Sequence, residues 1–384
     1  MKYKDTMEAV RKSGFLKYVY QFTPCIGLHR TTIKDIHITS IDTDLLTSTS
    51  ANYVTDNNNY ILADDGTPYT SISKVKIPHI LNDFKAKGFF TPYSSEWKEY
   101  STLDTSPNDP LKLFSLSDFH SNIDAIQTLL KTKYGIGIST DIAKFKSAEI
   151  AAEFILKAPL SEYSRAFHIL KSLNTDRVTK IDTIKPDDGQ NEWQSCIYKK
   201  SCYELYVYDK TRQLFEERNI ALSENVIKIE LRIPETYLYQ TRLKGNLSEI
   251  EDDDITTIFT RCYNRIIYNP YMRWHKTYLK KLNDLVYEYR SKYKRWITEL
   301  YKYVSDAEAH YQIYLINYQD IMKCPCIRTL DGRTQKRIKE QLETCFANTL
   351  YAQDTESKLS ELFNAVNTCN KGISPVSLYS NYRI

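Results

Sequence analysis

Two short segments carry the residues best suited to chemistry. Ser201 to Leu214 reads SCYELYVYDKTRQL, and Val226 to Ile233 reads VIKIELRI. A strand alternates with period two, so Glu204, Tyr206 and Tyr208 share one face of the first segment, with Leu205, Val207 and Asp209 on the other. In the second, Val226, Lys228, Glu230 and Arg232 share a face, while Ile227, Ile229, Leu231 and Ile233 supply an apolar one. Such a sheet has one side for a core and one side of phenols, carboxylates and cations that can work on something polar. The same alternation is also what a half-solvated antiparallel sheet with ordinary cross-strand salt bridges displays. The period alone does not separate the two.

The order of motifs adds a second signal. Tyr208-Asp209-Lys210 with Arg212, then Lys228-Ile229-Glu230-Leu231-Arg232, resembles the YDK…RxExR pair of trans-acting plasmid replication initiators. Filamentous-phage replication proteins of the gene II/X type carry a related pair. Upstream, Leu103-Asp-Thr-Ser-Pro107 precedes a helix and then a strand similar to the family's RID strand, here Ser139-Thr140-Asp141-Ile142-Ala143. The resemblance spans roughly residues 76–245. It departs from the pattern at Thr140, where the family carries Arg, and at Lys228, where it carries Arg. No His-hydrophobic-His triplet is present. A carboxylate-bound metal, Mg²⁺ or Mn²⁺, is therefore the expected cofactor rather than the histidine-bound one of ordinary HUH endonucleases.

The resemblance implies an initiator of rolling-circle replication, which nicks one DNA strand at an origin and rejoins it through a 5′-phosphotyrosine. Strand transfer needs a nucleophile that conserves the phosphodiester's energy, and a tyrosine phenolate does so. A phenol of ordinary pKa, about 10, is protonated at neutral pH and needs a metal or base beside it. Tyr208, in the YDK position, is the first candidate nucleophile, and Tyr206, on the same face, is its rival. Asp104, Asp141 and Glu230, each on a separate expected strand, are the candidate metal ligands, although Asp104 also suits a turn before Ser-Pro. Lys210 and Arg232 are candidate phosphate contacts, with Arg212 a further DNA contact.

The elements that must position these residues follow from patterning. Residues 1–75 read as a β-rich lobe opened by a short helix over the first fifteen residues, and 76–245 as an α+β nicking core on a largely antiparallel sheet with flanking helices. Within that core, Asp118 starts a helix with a buried face of Ile123, Ile126, Leu129 and Leu130, and a second helix is expected from about Ser147 to Lys157. Thr183–Glu192 reads as a loop, and the acidic stretch Gly245–Asp254 as a linker. Residues 250–384 read as helical, with one continuous helix over Trp274–Val304 whose larger residues recur at 3–4 spacing, and a loose tail over 372–384.

That long helix is basic: Arg273, Lys276, Lys280, Lys281, Arg290, Lys294 and Arg295 lie among Tyr271, Trp274, Tyr278 and Tyr301. Cations on phosphates and rings on unpaired bases would suit DNA, whereas a bundle helix with a solvated charged face gives the same pattern. The formal charge of +4 is too mild to decide between them. Thirty-one tyrosines carry little weight, since an AT-rich genome favours them.

Eight cysteines, scattered apart from Cys324-Pro-Cys326, form neither a disulfide framework nor a complete zinc site. No apolar run of membrane-spanning length occurs, and the amphipathic N-terminus lacks a signal-peptide core, so a cytoplasmic protein is expected. Its expected partners are origin DNA, single-stranded and supercoiled duplex, with a host helicase to consider and no membrane. Two rival readings stand beside the nuclease. One is a non-catalytic DNA-binding protein of a phage or plasmid, and the other is a helical structural or interaction protein.

Overall fold

The computed structural model describes residues 26–42, 102–107, 112–163, 195–218, 224–309, 318–346 and 355–370, short strands at 60–62, 68–70, 75–77, 84–89 and 178–184, and a few single positions. The helix expected over the first fifteen residues, most of the loop at 183–192 and the tail at 372–384 lie outside them.

Nine strands form one sheet in which every neighbouring pair is antiparallel. In chain order the strands are β1 (Ile26–Lys34), β2 (His37–Ile41), β3 (Tyr60–Leu62), β4 (Pro68–Thr70), β5 (Val75–Ile77), β6 (Phe84–Phe89), β7 (Thr102–Pro107), β8 (Ile136–Ser139), β9 (Lys144–Leu156), β10 (Val178–Ile184), β11 (Ser195–Lys200), β12 (Tyr203–Asp209) and β13 (Asn225–Pro234). The large sheet runs β10-β11-β12-β13-β9-β1-β7-β6-β5, and two small ones pair β2 with β8 and β3 with β4. The helices are α1 (Leu116–Tyr134), α2 (Lys210–Arg218), α3 (Glu235–Leu238), α4 (Asp252–Tyr263), α5 (Asn269–Lys292), α6 (Trp296–Ala309), α7 (Tyr318–Lys323), α8 (Pro325–Arg328), α9 (Gly332–Phe346) and α10 (Thr355–Asn370). The class is α+β, as patterning indicated.

Three expectations about the strands and helices themselves change, as do two about a cap and a linker. The segment from Ser147 to Lys157 is not a helix but most of β9, the central strand of the sheet. Ala148, Ile150, Ala151, Ala152, Glu153 and Phe154 are all buried, so both faces are covered and no alternation shows. Next, β1 does not stand in a separate lobe. It pairs with β9 on one side and β7 on the other, so the sheet runs across the boundary drawn at residue 75.

The third change concerns the long basic helix, which is broken. Tyr293 leaves α5 with extended backbone (φ −121°, ψ 129°), and the chain restarts at Trp296 as α6. Trp274 to Val304 shows one unbroken stripe because both helices bury the same side: Tyr278, Leu282 and Val286 from α5 pack with Ile297, Leu300 and Val304 from α6.

Capping and packing explain the rest. Ser115, not Asp118, caps α1, and Asp118 completes a capping box from the third position. Gly135 ends that helix with φ 67°, where a Cβ would meet the Asp42 carbonyl oxygen at 2.7 Å, so glycine is required. The acidic stretch is no free linker. Leu247 and Ile250 are buried in the core, and Asp252 Oδ1 accepts from the backbone N–H of Leu116 at 2.8 Å. Helices α1, α4 and α10 cover the apolar face of the sheet, α10 being tied down by Glu361, which accepts from Lys157 N (2.8 Å) and Tyr163 Oη (2.7 Å). A separate apolar cluster holds α5 to α9 together, and Trp274 touches both cores. Between α4 and α5 the chain makes one π-turn over Asn264–Tyr268, where Pro270 has no N–H to offer the preceding turn.

Candidate active site

The opposite face of the sheet carries the chemistry. Register sets its rows. Ser195, Tyr208, Lys228 and Glu153 stand side by side across β11, β12, β13 and β9. The next row is Ile197, Tyr206, Glu230, Ala151 and, on β1, Gly27. The row after that holds Lys199, Glu204, Arg232 and Glu149. The faces assigned to β12 and β13 from alternation are thus the observed ones. Burial grades along β13: Val226, Lys228 and Glu230 are buried, while the Arg232 side chain is 44 % exposed. The buried end lies beneath α2, whose Leu214 packs with Leu222 and Val226.

Glu230 is the hub. Its Oε2 accepts from the Tyr208 hydroxyl at 3.3 Å and lies 3.3 Å from His29 Nδ1, and its Oε1 accepts from Arg232 Nε at 2.7 Å. His29 Nδ1 is also 3.4 Å from Glu149 Oε2, and Arg232 Nε is 3.6 Å from Glu149 Oε1. His29, two residues after Gly27 on β1, shares its face and continues the register onto Glu149, and a bulge between Leu28 and Arg30 follows, where Arg30 also falls opposite Glu149. Beside Glu230 the row continues with Ala151 and Gly27, which add no bulk next to the carboxylate.

His29, Glu149 and Glu230 offer three ligand atoms within 4.8 Å of one another. His29 Nδ1 is buried and has no aligned hydrogen-bond partner among the described residues. A bare nitrogen lone pair facing two carboxylates is repulsive, so either a proton or a cation belongs between them. One imidazole nitrogen and two carboxylates form a donor set that a divalent metal accepts. The residues fit.

Electrostatics sharpen the roles. Burial raises the pKa of the Tyr208 phenol far above its ordinary value, and the Glu230 and Glu153 charges add to the shift. Tyr206 is pushed up to about 12, by burial and by donating to Glu204 Oε2 at 2.6 Å, against the opposing charge of Arg232 stacked 3.9 Å over its ring. Burial alone would raise Glu230 too, but His29, Lys228 and Arg232 hold it well below the usual carboxylate range. Lys210, whose Nζ is 5.9 Å from the Tyr208 ring centre, is lowered to about 8 by burial and by the Lys228 charge. Beneath Tyr208, Lys228 and Glu153 form a fully buried ion pair at 3.1 Å. Taking two charges out of water costs several kcal/mol per ion, so each needs the other.

Of the residues singled out from sequence, Tyr206, Tyr208, Lys210, Glu230 and Arg232 come together. Asp104 and Asp141 do not join them. Asp104 accepts from Thr32 Oγ1 at 2.6 Å on β7, three strands from β13 and so about 14 Å away at ordinary strand spacing. Asp141 is exposed in the turn after β8, which belongs to a separate small sheet. Arg212 is buried on α2, where its backbone N–H is capped by Asp209 and its Nε donates to Glu216 at 2.6 Å.

On the helical side, Arg273, Lys276, Lys280, Lys281, Lys294 and Arg295 are exposed, whereas Arg290 donates to the Cys326 carbonyl at 2.7 Å. The rings expected to stack on bases are turned inward. Tyr271 and Tyr278 are buried, Trp274 stacks on Tyr278 at 4.4 Å, and Tyr301 packs edge-on against Phe346.

His29, Glu149 and Glu153 went unread. Glu149 and Glu153, four residues apart, share a face in a helix and in a strand alike, so their pairing was available whichever element was assigned. His29 had no such signal, because nothing in the local sequence says that β1 pairs with β9.

No helix among the described residues is long and apolar enough to cross a membrane. No protein-family model matches the sequence, and no curated protein matches it. Among solved structures, the chain is similar to the rolling circle replication initiator protein from Geobacillus stearothermophilus, with a TM-score of 0.31, 8 % identity and coverage of 63 % of this chain and 85 % of that one. At this level the likeness identifies neither family nor activity.

Proposed function

We propose that this chain is a DNA strand-transferase of the replication-initiator kind, which cuts one strand at an origin through Tyr208 and later rejoins it. The observation carrying this reading is the Tyr208 hydroxyl on Glu230, inside the His29–Glu149–Glu230 cluster and on the polar face of the sheet. In the forward step Tyr208 Oη bonds to phosphorus as the P–O3′ bond breaks. The phenol loses its proton in this step, and the departing 3′ oxygen takes one up. Lys210, titrating near pH 8, is a group beside the phenol able to exchange one. The reverse step restores the phosphodiester without external energy, since the phosphotyrosine bond conserves it.

In the resting site a raised phenol faces a depressed carboxylate, so the proton stays on Tyr208. A divalent cation held by His29, Glu149 and Glu230 would lower the phenol's pKa and offset charge developing on the phosphate. With an imidazole among the donors, Mn²⁺ fits more closely than Mg²⁺. Arg232, whose side chain is 44 % exposed, would meet a phosphate oxygen.

The test is nicking of a supercoiled plasmid that carries the DNA flanking the protein's own gene, with Mn²⁺ present. Wild type should relax it, and Tyr208→Phe should lower the rate by on the order of 10⁴-fold while leaving DNA binding intact. Relaxation that survives in both Tyr208→Phe and Tyr206→Phe would end the tyrosine mechanism. Loss in Tyr206→Phe alone would move the nucleophile one row toward solvent.

A further inference from the structure

The break between α5 and α6 gathers rings and cations that the sheet chemistry does not use. The Tyr289 ring lies 5.3 Å from that of Tyr293 and 5.7 Å from that of Tyr303, so three tyrosines meet across the break. Lys292 Nζ sits 5.4 Å over the Tyr293 ring. Tyr303 is 39 % exposed, which is high for a large ring, while Tyr289 and Tyr293 are half-buried and present only part of their surface.

Charge points to the occupant. Between Tyr287 and Tyr303 the sequence carries five cations (Arg290, Lys292, Lys294, Arg295, Lys302) against two carboxylates (Glu288, Glu299). Arg290 is engaged with the Cys326 carbonyl and Lys302 with Glu299 at 3.0 Å, so the surplus rests on the exposed Lys292, Lys294 and Arg295. These three flank the tyrosine cluster directly in sequence. Cations beside accessible rings match a chain that alternates phosphates with flat bases, and the ring faces are useful only where bases are unpaired.

We infer that the α5–α6 elbow is a stacking platform for single-stranded DNA. The inference shares with the proposed function only the premise that the chain acts on DNA; it needs neither the metal nor Tyr208. An acidic protein surface or a second copy of this chain is the competing occupant.

Binding of a fluorescein-labelled oligothymidylate and of a hairpin duplex to the full chain, followed by anisotropy, tests it. Tyr303→Ala should weaken the oligothymidylate roughly five- to a hundred-fold and the duplex far less, while Tyr303→Phe, which keeps the ring, should bind like wild type. Lys294→Gln with Arg295→Gln should weaken binding and lower the salt dependence by about two counterions. Unfolding melts check that each variant is folded, and Tyr293→Ala serves in place of any that is not.

The platform is overturned if the Ala variants bind the oligothymidylate normally, if duplex is held as tightly as single strand, or if the wild type binds neither. It is likewise overturned if sedimentation shows self-association that Tyr303→Ala abolishes while DNA binding persists. Failure here with plasmid nicking intact removes the platform and leaves the nuclease reading standing. Oligothymidylate binding that persists in a protein unable to nick does the reverse.

Discussion

The candidate site is made of two unlike halves. β12 and β13 supply the phenols Tyr206 and Tyr208, the cations Lys228 and Arg232, and Glu230. β9 and β1, nearer the middle of the sheet, supply Glu149, Glu153 and His29. Of the cations in the first half, Arg232 reaches solvent while Lys228 is fully buried, and the second half supplies the opposite charges that both of them face. Charge is matched across the seam between them: Lys228 faces Glu153, and Arg232 and Glu230 face Glu149 and His29. A sheet can carry this much buried charge on one face only if neighbouring strands bring opposite signs together.

The largest expected effect tests that seam at its buried end. Lys228→Met or Glu153→Gln alone should each cost about 3–5 kcal/mol of stability in urea unfolding, because the partner is left charged in a fully buried place. The double variant should recover most of it. If the double is as unstable as the singles, the pair holds more than each other's charge, and the two halves are less complementary than described.

The open end of the seam should respond through ligand binding. Glu149→Gln and His29→Ala should each weaken Mn²⁺ binding, measured by calorimetry, by at least the roughly 10–100-fold that even outer-shell changes produce. Asp104→Asn and Asp141→Asn should leave it unchanged, since neither carboxylate reaches the cluster. An effect of Asp104→Asn as large as that of Glu149→Gln would show that the metal sits elsewhere on the sheet.

A smaller effect belongs to β12 alone. Asp209 caps α2, and its carboxyl is pushed by burial from 3.8 up to about 6. Between those values the folded protein keeps a proton that the unfolded chain has lost, so stability falls as pH rises through that window. Asp209→Asn keeps a capping oxygen and should flatten the fall, by about 1–2 kcal/mol in the difference between unfolding curves taken at its two ends. An unchanged slope would place the titration on another group.

The two halves also differ in how far they could be read in advance. β13 keeps isoleucines and leucine on one side and, after Val226, charge on the other, so its faces and the site row followed from period two. β9 is rich in Ala and Glu, residues that favour helices, and is covered on both sides, so its local preference pointed to a helix that burial overrode. Asp104 and Asp141 were placed on separate strands, but separate strands need not be adjacent. One lies three strands away and the other in the turn that follows a strand of a different sheet.

By itself the sequence determined the α+β class, the polar face of β12 and β13, the Tyr208–Glu230–Arg232 grouping and a basic helical region. These rest on spacing along one chain segment, where side-chain direction is fixed by the backbone period. Only the tertiary structure decided that β9 lies beside β13 and β1 beside β9, that this pairing brings His29 to two glutamates, and that the basic helix breaks at Tyr293. Those depend on which distant strands share hydrogen bonds and which surfaces are shut off from water, and nothing in the order of neighbouring residues records either.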